Sequence, residues 1–270
     1  VERREPVAFR KINLHAFCNA RFSTEYQSYI LRNAMANSVP QLKILEQEIM
    51  GCRKCPRLVA YREKVAREKR RAFRDWSYWG RPVPGFGDRQ AELFILGLAP
   101  AAHGANRTGR VFTGDRSGDF LYAALHEAGF ASKPTSQNRN DGLQLTNAFI
   151  AAAVRCAPPA NKPLPSELLH CRGYLERELA LLKPRVLLAL GKIAWDAYLD
   201  ILKGQGVIAS RAKFAFGHGA EAILPGDGPK LIGIYHPSQQ NTQTGRVTSA
   251  MYAKVLQRIK SILAASKIEL

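Results

Sequence analysis

Apolar residues recur along this chain with two periods, and the alternation between them predicts the architecture. Val39, Leu42, Leu45 and Ile49 are three or four apart, which predicts a helix over Val39–Met50. Glu92–Leu98, Ala148–Val154, Val186–Leu190 and Lys230–Tyr235 are instead short apolar runs bounded by turn residues, as expected of strands buried on both faces. Helical spacing returns after each strand. Ser117 is the expected cap of a helix through Phe120, Leu121, Ala124 and Leu125 that Gly129 stops, and further helices are predicted over Pro165–Leu182, Ile193–Leu202 and Thr248–Ala264. Phe214–Leu224 has neither period and reads as an irregular or hairpin insertion. Strands alternating with helices predict an α/β fold with a mainly parallel sheet. Residues 1–37 lack a sustained apolar period and read as an extension, with Met35 a candidate start, ahead of one domain over 38–270.

Length and composition support a folded domain. At 270 residues and 46% hydrophobic the chain can bury a substantial core. No apolar run approaches the roughly 18 residues of a membrane span, and no apolar leader is visible, so a reducing cytoplasm is the expected compartment. Charge adds the first functional inference. Forty Lys and Arg against 22 Asp and Glu leave +18, which implies a polyanionic partner, with nucleic acid the default. The excess is concentrated: Arg53–Arg81 holds eleven basic and three acidic residues, a net +8. This segment is expected to form a basic helix from Pro56 to Trp76 that faces phosphates, against the alternative of a solvated face.

Four of the five cysteines form a pattern. Cys52 and Cys55 make a CxxC, a hundred residues intervene, and Cys156 and Cys171 follow with fourteen residues between them. A zinc ribbon needs two close knuckles, whereas spread single thiolates suit a cubane iron-sulfur cluster, so a [4Fe-4S] centre is expected. Buried thiols without metal and structural zinc are the alternatives. Cys18 reads as a spare thiol.

The remaining chemistry lies at the predicted carboxyl ends of strands, where ligands bind in such folds. One loop runs from Gly97 to Asp115, and its glycines are expected to let backbone amides approach a ligand. Arg110 and Val111 stand where a P-loop requires Lys and then Ser or Thr, which excludes that motif and argues against nucleotide triphosphate hydrolysis. A second loop, Tyr235–Arg246, surrounds His236 with Ser238, Asn241, Thr242 and Thr244, residue types that hold phosphate and sugar oxygens. Together they suggest chemistry on a nucleotide.

Five segments in order, GCRKCPRL from Gly51, RPVPGFGD from Arg81, GLAPAAHGANRTGRVFTGD from Gly97, VRCAPPANKPLP from Val154 and YHPSQQNTQTGR from Tyr235, resemble the family 5 uracil-DNA glycosylases across about Val39–Lys260. The resemblance implies a three-layer α/β/α sandwich around a four-stranded, mainly parallel sheet. It implies a structural [4Fe-4S] cluster on Cys52, Cys55, Cys156 and Cys171, and excision of uracil, hypoxanthine and other altered bases from DNA to leave an abasic site. By the same resemblance Phe112 stacks on the flipped base and Asn161 contacts it. Asp115 orients the hydrolytic water, His236 stabilises departing charge, and Gly97 and Ala99 border the base. Arg107, Arg110, Ser238, Asn241, Thr242 and Arg246 are the expected DNA contacts. Leu98 and Ala99 stand where other families of the superfamily place Asp, Glu or Asn, so the catalytic burden moves to Asp115 or to the electrostatics of the site as a whole, and the pocket should be roomy. The expected agent is a monomer acting on DNA of the nucleoid. The competing reading is a non-catalytic iron-sulfur module that binds damaged or single-stranded DNA.

Overall fold

The computed structural model describes residues 39–265. The expected extension over 1–37, with Cys18 and Met35, lies outside them. Helix α1 covers residues 39–51 and α2 runs Pro56–Glu68. Strands β1 (Phe86–Gly87) and β2 (Leu93–Gly97) precede α3 (Ala105–Thr108) and α4 (Arg116–Glu127). Then come β3 (Ala148–Ala152), α5 (Pro165–Leu182), β4 (Val186–Leu190), α6 (Lys192–Gly204), β5 (Glu221–Ala222), β6 (Lys230–Ile234), α7 (Gln239–Gln243) and α8 (Ser249–Ala265).

The strands form one sheet in the order β1-β3-β2-β4-β6-β5. Its four central strands are parallel, as expected, with Ile95 of β2 opposite Ile150 of β3 and Leu188 of β4. The sheet is wider than the four strands predicted, because β1 and β5 add antiparallel edges of two residues each, too short to show a period. Period-two alternation divides the buried strand residues between two cores. Leu93, Ile95, Ile150, Val186, Leu188 and Ile232 pack with Leu121, Tyr122 and Leu125 of α4 and Tyr252, Leu256 and Ile259 of α8. Phe94, Leu96, Phe149, Leu187 and Leu231 pack with Leu42 of α1, Leu175 of α5 and Trp195, Tyr198 and Leu199 of α6. The result is the expected α/β/α sandwich. Among the described residues no helix is long and apolar enough to cross a membrane.

Two local expectations are corrected. The basic helix stops at Glu68, where Lys69 takes a left-handed φ of 53°, and a separate 3-10 turn follows at Arg71–Phe73. The lysine and arginine run after Glu68 has no apolar stripe to hold a longer helix against the core. Helix α4 is capped by Asp115 and not by Ser117, which falls inside the first turn. The insertion at Phe214–Leu224, preceded by a 3-10 turn at Arg211–Lys213, contains β5, which pairs back antiparallel on β6 as the hairpin reading expected.

After β2 the chain places β3 on one side and then crosses to place β4 on the other. Loops leaving the carboxyl ends of β2 and β3 therefore diverge, which opens a crevice there.

Candidate active site and cysteine centre

The crevice is a cleft of about 360 Å³ whose walls include Ala99, Phe112, Asp115, Asn161, His236 and Ser238. Asp115, Asn161 and His236, far apart in sequence, thus meet at one site. Leu98, Pro100, Val111 and Ala152 make much of the lining apolar. Ser117 and Gln239 also line it, though no sequence signal distinguished them from ordinary helix-start residues.

The glycines of the loop act differently from the expectation that they admit a ligand. A Cβ at Gly97 would stand 2.7 Å from the Phe112 ring, and one at Gly118, in the first turn of α4, would stand 1.8 Å from the Phe112 carbonyl oxygen. Phe112 itself has φ 50°, an unusual conformation for a bulky residue, held by the neighbours that these glycines allow so close. A Cβ at Gly104 would lie 2.0 Å from Oδ2 of Asp115. The missing side chains make room for the protein's own aromatic ring and carboxylate.

Asp115 caps α4 by accepting the Gly118 N–H at 3.0 Å. Burial pushes its pKa up from the ordinary carboxylate value; the Gly118 N–H opposes this, Asp119 adds to it, and Arg107 opposes it more weakly. Arg107 and Arg110, expected to face DNA, are instead buried. Arg107 donates to the carbonyls of His103 and Gly114 at 2.8 Å each, and its guanidinium lies 3.9 Å from the Phe73 ring centre and 4.0 Å from that of Trp76. It fixes the backbone beside Asp115. Arg110 donates to Thr113, Ser136 and Asp141, the last at 2.6 Å. Burial acts to raise the Asp141 pKa, but Arg110 and three backbone N–H groups hold this carboxyl well below its usual range. Both guanidinium groups are buried and spend donors inside the protein, which sets them apart from freely exposed phosphate contacts.

His236 follows β6, and its ring centre lies 5.9 Å from that of Phe112 with the planes 35° apart. Burial pulls its pKa down to about 4, so the imidazole is neutral at pH 7. Its carbonyl accepts from Asn241 Nδ2 at 2.8 Å, Ser238 caps α7, and Thr242 Oγ1 donates to the Ser238 carbonyl at 3.2 Å. Asn241 and Thr242, both half-buried, therefore also shape this loop from within. Ser238 faces the cleft, and Arg246 is exposed with its guanidinium 5.1 Å from the Tyr235 ring centre. Asn161 is exposed at the cleft mouth, where it and Ala160 both adopt left-handed backbone.

The four cysteines of the spacing pattern lie near one another behind the cleft. Cys55, Cys156 and Cys171 share a small buried cluster with Leu58 and Val154, and Cys52 packs beside Ile49 and Tyr174. They are free thiols, and burial raises the pKa of Cys55 to about 11 and that of Cys156 to about 12. Among the described residues no group of three or more His, Cys, Asp or Glu forms a ready metal site. The surroundings, however, favour negative charge. Arg62 of α2 is 2% exposed, donates to Cys156 Sγ at 3.0 Å and to the Cys52 carbonyl at 3.3 Å, and leaves Nε without a partner. Its nearest carboxylate, Glu63, is 3.9 Å away. A buried cation beside neutral thiols is poorly compensated, whereas thiolates ligating a soft metal supply the missing charge. Arg57 bridges α2 to Glu167 of α5 with two hydrogen bonds of 2.6 and 2.7 Å, tying the segments that carry Cys55 and Cys171.

A groove of about 650 Å³ between α5 and α6, lined by Leu168, Leu169 and Ile193, lies apart from this chemistry. Its charged rim is internally paired, Arg172 with Glu176 and Arg211 with Asp200.

Residues 84–260 match a family model described as the Uracil DNA glycosylase superfamily. Proteins named Type-5 uracil-DNA glycosylase align along most of the chain. That of Mycobacterium tuberculosis is 51% identical over 229 residues, 84% of this chain and 82% of the relative. That of Thermus thermophilus is 53% identical over 217 residues, 80% of this chain and 95% of the relative. That of Pyrobaculum aerophilum is 44% identical over 210 residues, 78% of this chain and 88% of the relative. With the conjunction of Asp115, Asn161 and His236 in one strand-end cleft, these similarities establish that the chain belongs to the uracil-DNA glycosylase superfamily and, within it, to the type-5 group.

Proposed function

We propose that this protein is a monofunctional DNA glycosylase that hydrolyses the N-glycosidic bond of uracil, hypoxanthine and other deaminated bases flipped out of DNA. The observation that carries the reading is a mostly apolar cleft in which a carboxylate, a neutral imidazole and an aromatic ring converge. Cleavage sends the bond's electron pair to the base and leaves cationic character on the sugar. The Asp115 carboxylate stabilises that cation and orients the water that adds to the sugar carbon, taking the proton the water gives up. Neutral His236 serves as a hydrogen-bond donor to oxygen of the departing base, a role that low dielectric strengthens. Phe112 offers the base a stacking face and Asn161 contacts it from the mouth. Extrusion must come first, and a mispaired base costs less to unstack. The small Ala99 leaves room for purines as well as pyrimidines.

Cys52, Cys55, Cys156 and Cys171 would hold a [4Fe-4S] cluster, which when bound supplies a structural cross-link and the negative charge that buried Arg62 lacks. In this reading the protein acts as a monomer, with DNA of the cytoplasmic nucleoid as the site of repair.

The test is an end-labelled oligonucleotide with one deoxyuridine or deoxyinosine. Release of free base with an alkali-labile strand is expected, while retained binding with intact strand would favour the non-catalytic module. Iron and acid-labile sulfide at the level of one cluster per chain are expected in the purified protein. Stoichiometric zinc, or no metal, would overturn the cluster.

A further inference from the structure

A second, larger groove of about 810 Å³ adjoins the cleft and shares Asp115, Ser117, Asn161 and Gln239 with it. Tyr61 of α2, Arg70, Phe73 and Trp76 line one side, and His103 and Arg116 contribute to the rest. Arg70, Arg71 and Arg74 are exposed on or beside the 3-10 turn and form no ion pair among the described residues, whereas Arg53 and Arg57 nearby are held by Glu63 and Glu167. Three like charges within five residues repel one another and favour an anionic partner. The turn is no loose tail, because Phe73 and Trp76 clamp Arg107, which grips the Gly114 carbonyl next to Asp115. Arg70, which lines the groove, therefore stands at a fixed place beside the reaction centre, with Arg71 and Arg74 adjoining it on the same turn. Tyr61, Phe73 and Trp76 are half-buried, with part of each side chain accessible. Cations tracking a backbone beside accessible aromatic rings are the two elements of single-strand recognition, since paired bases keep their stacking faces hidden.

We propose that this groove binds the unpaired DNA strand that continues from the extruded nucleotide, with Arg70, Arg71 and Arg74 on its phosphates and Tyr61 stacked on a base. The placement rests on the glycosylase reading, but the binding does not depend on catalysis. The test is fluorescence anisotropy of the full-length protein with a labelled single-stranded oligonucleotide carrying one deoxyuridine, across a salt series, beside the same sequence as a blunt duplex.

In the Arg70→Gln/Arg71→Gln/Arg74→Gln variant, three lost phosphate contacts at about −0.7 each should flatten the single-strand log–log salt slope by about 2. That slope change corresponds to roughly 100-fold weaker binding at 0.1 M salt. Duplex binding should weaken far less. Tyr61→Ala should weaken single-strand binding about tenfold without changing the slope. An unchanged slope in the triple variant, an equal loss on duplex, or tighter binding of polyglutamate than of the oligonucleotide would overturn the proposal. Absence of uracil release from every substrate would count against the glycosylase reading alone, leaving the binding measurements to decide this one.

Discussion

Gly104→Ala perturbs the reaction centre without removing a polar group, so its effect isolates the position of Asp115. The added Cβ would lie 2.0 Å from Oδ2, 2.9 Å from Cγ and 3.1 Å from Cβ of Asp115. A carbon and an oxygen rest no closer than about 3.3 Å, so the carboxylate must retreat by roughly 1.3 Å. Rotation that far breaks the 3.0 Å bond from the Gly118 N–H, which caps α4. Loss of a cap costs about 1 kcal/mol and local overpacking about 1–3 kcal/mol, leaving a folded but less stable protein. A displacement near 1 Å costs about 100-fold in rate, equivalent to roughly 2.7 kcal/mol of barrier. Single-turnover excision of uracil, with product revealed by alkali, reads the chemical step apart from product release. The first-order rate should fall about 100-fold while DNA affinity stays within about threefold, since the groove arginines are untouched. Gly173→Ala is the control: it lies in α5 with no atom within 4 Å of the new Cβ, and should stabilise by up to about 1 kcal/mol at an unchanged rate. A folded Gly104→Ala protein with the wild-type excision rate would refute the role given to Asp115.

Asp115→Asn keeps a good helix cap and removes a charge that burial disfavours, so the melting temperature should hold or rise while excision falls at least about 100-fold; a rate within threefold of wild type would contradict this. The His236 pKa is about 4 in the folded protein because burial disfavours the imidazolium, against about 6.5 in the unfolded chain. Between pH 6.5 and 4 the unfolded chain therefore binds the extra proton, and stability should decline across that window and level off below it. Urea denaturation at several pH values should show that His236→Asn removes part of this decline, and identical slopes would refute the neutral imidazole. Glu178 and Arg155 form a buried pair with exposures of 2% and 1%, so Glu178→Ala should cost about 3–5 kcal/mol in urea denaturation by stranding the guanidinium, and a loss below about 1 kcal/mol would show that Arg155 finds another partner.

Legibility differed between elements for physical reasons. The four central strands and α1, α5, α6 and α8 were visible because each must bury a face, and burial writes a period into the residues. Helix α2 was overextended because charge alone carries no period, and α4 was started at Ser117 because Ser and Asp are equally good caps; the hydrogen bond from Gly118 decides between them. His236 could be singled out by its position after a strand, and Asp115 and Asn161 by the motifs that resemble the family, but not their convergence.

By itself, then, the sequence determined the α/β order, the cysteine spacing, the basic excess and the identity of the polar residues at the strand ends. Tertiary structure alone decided which cations remain free: Arg107 and Arg110 sit in the matching motif yet are buried, while Arg70, Arg71 and Arg74 lie outside every motif and stay exposed. It also decided that the loop glycines make room for Phe112 and Asp115, and that Arg62 is buried against the cysteines. Periodicity is a local property of a chain folding against its own core. Burial of a charge and the approach of two side chains depend on contacts between segments far apart in sequence, which no local pattern records.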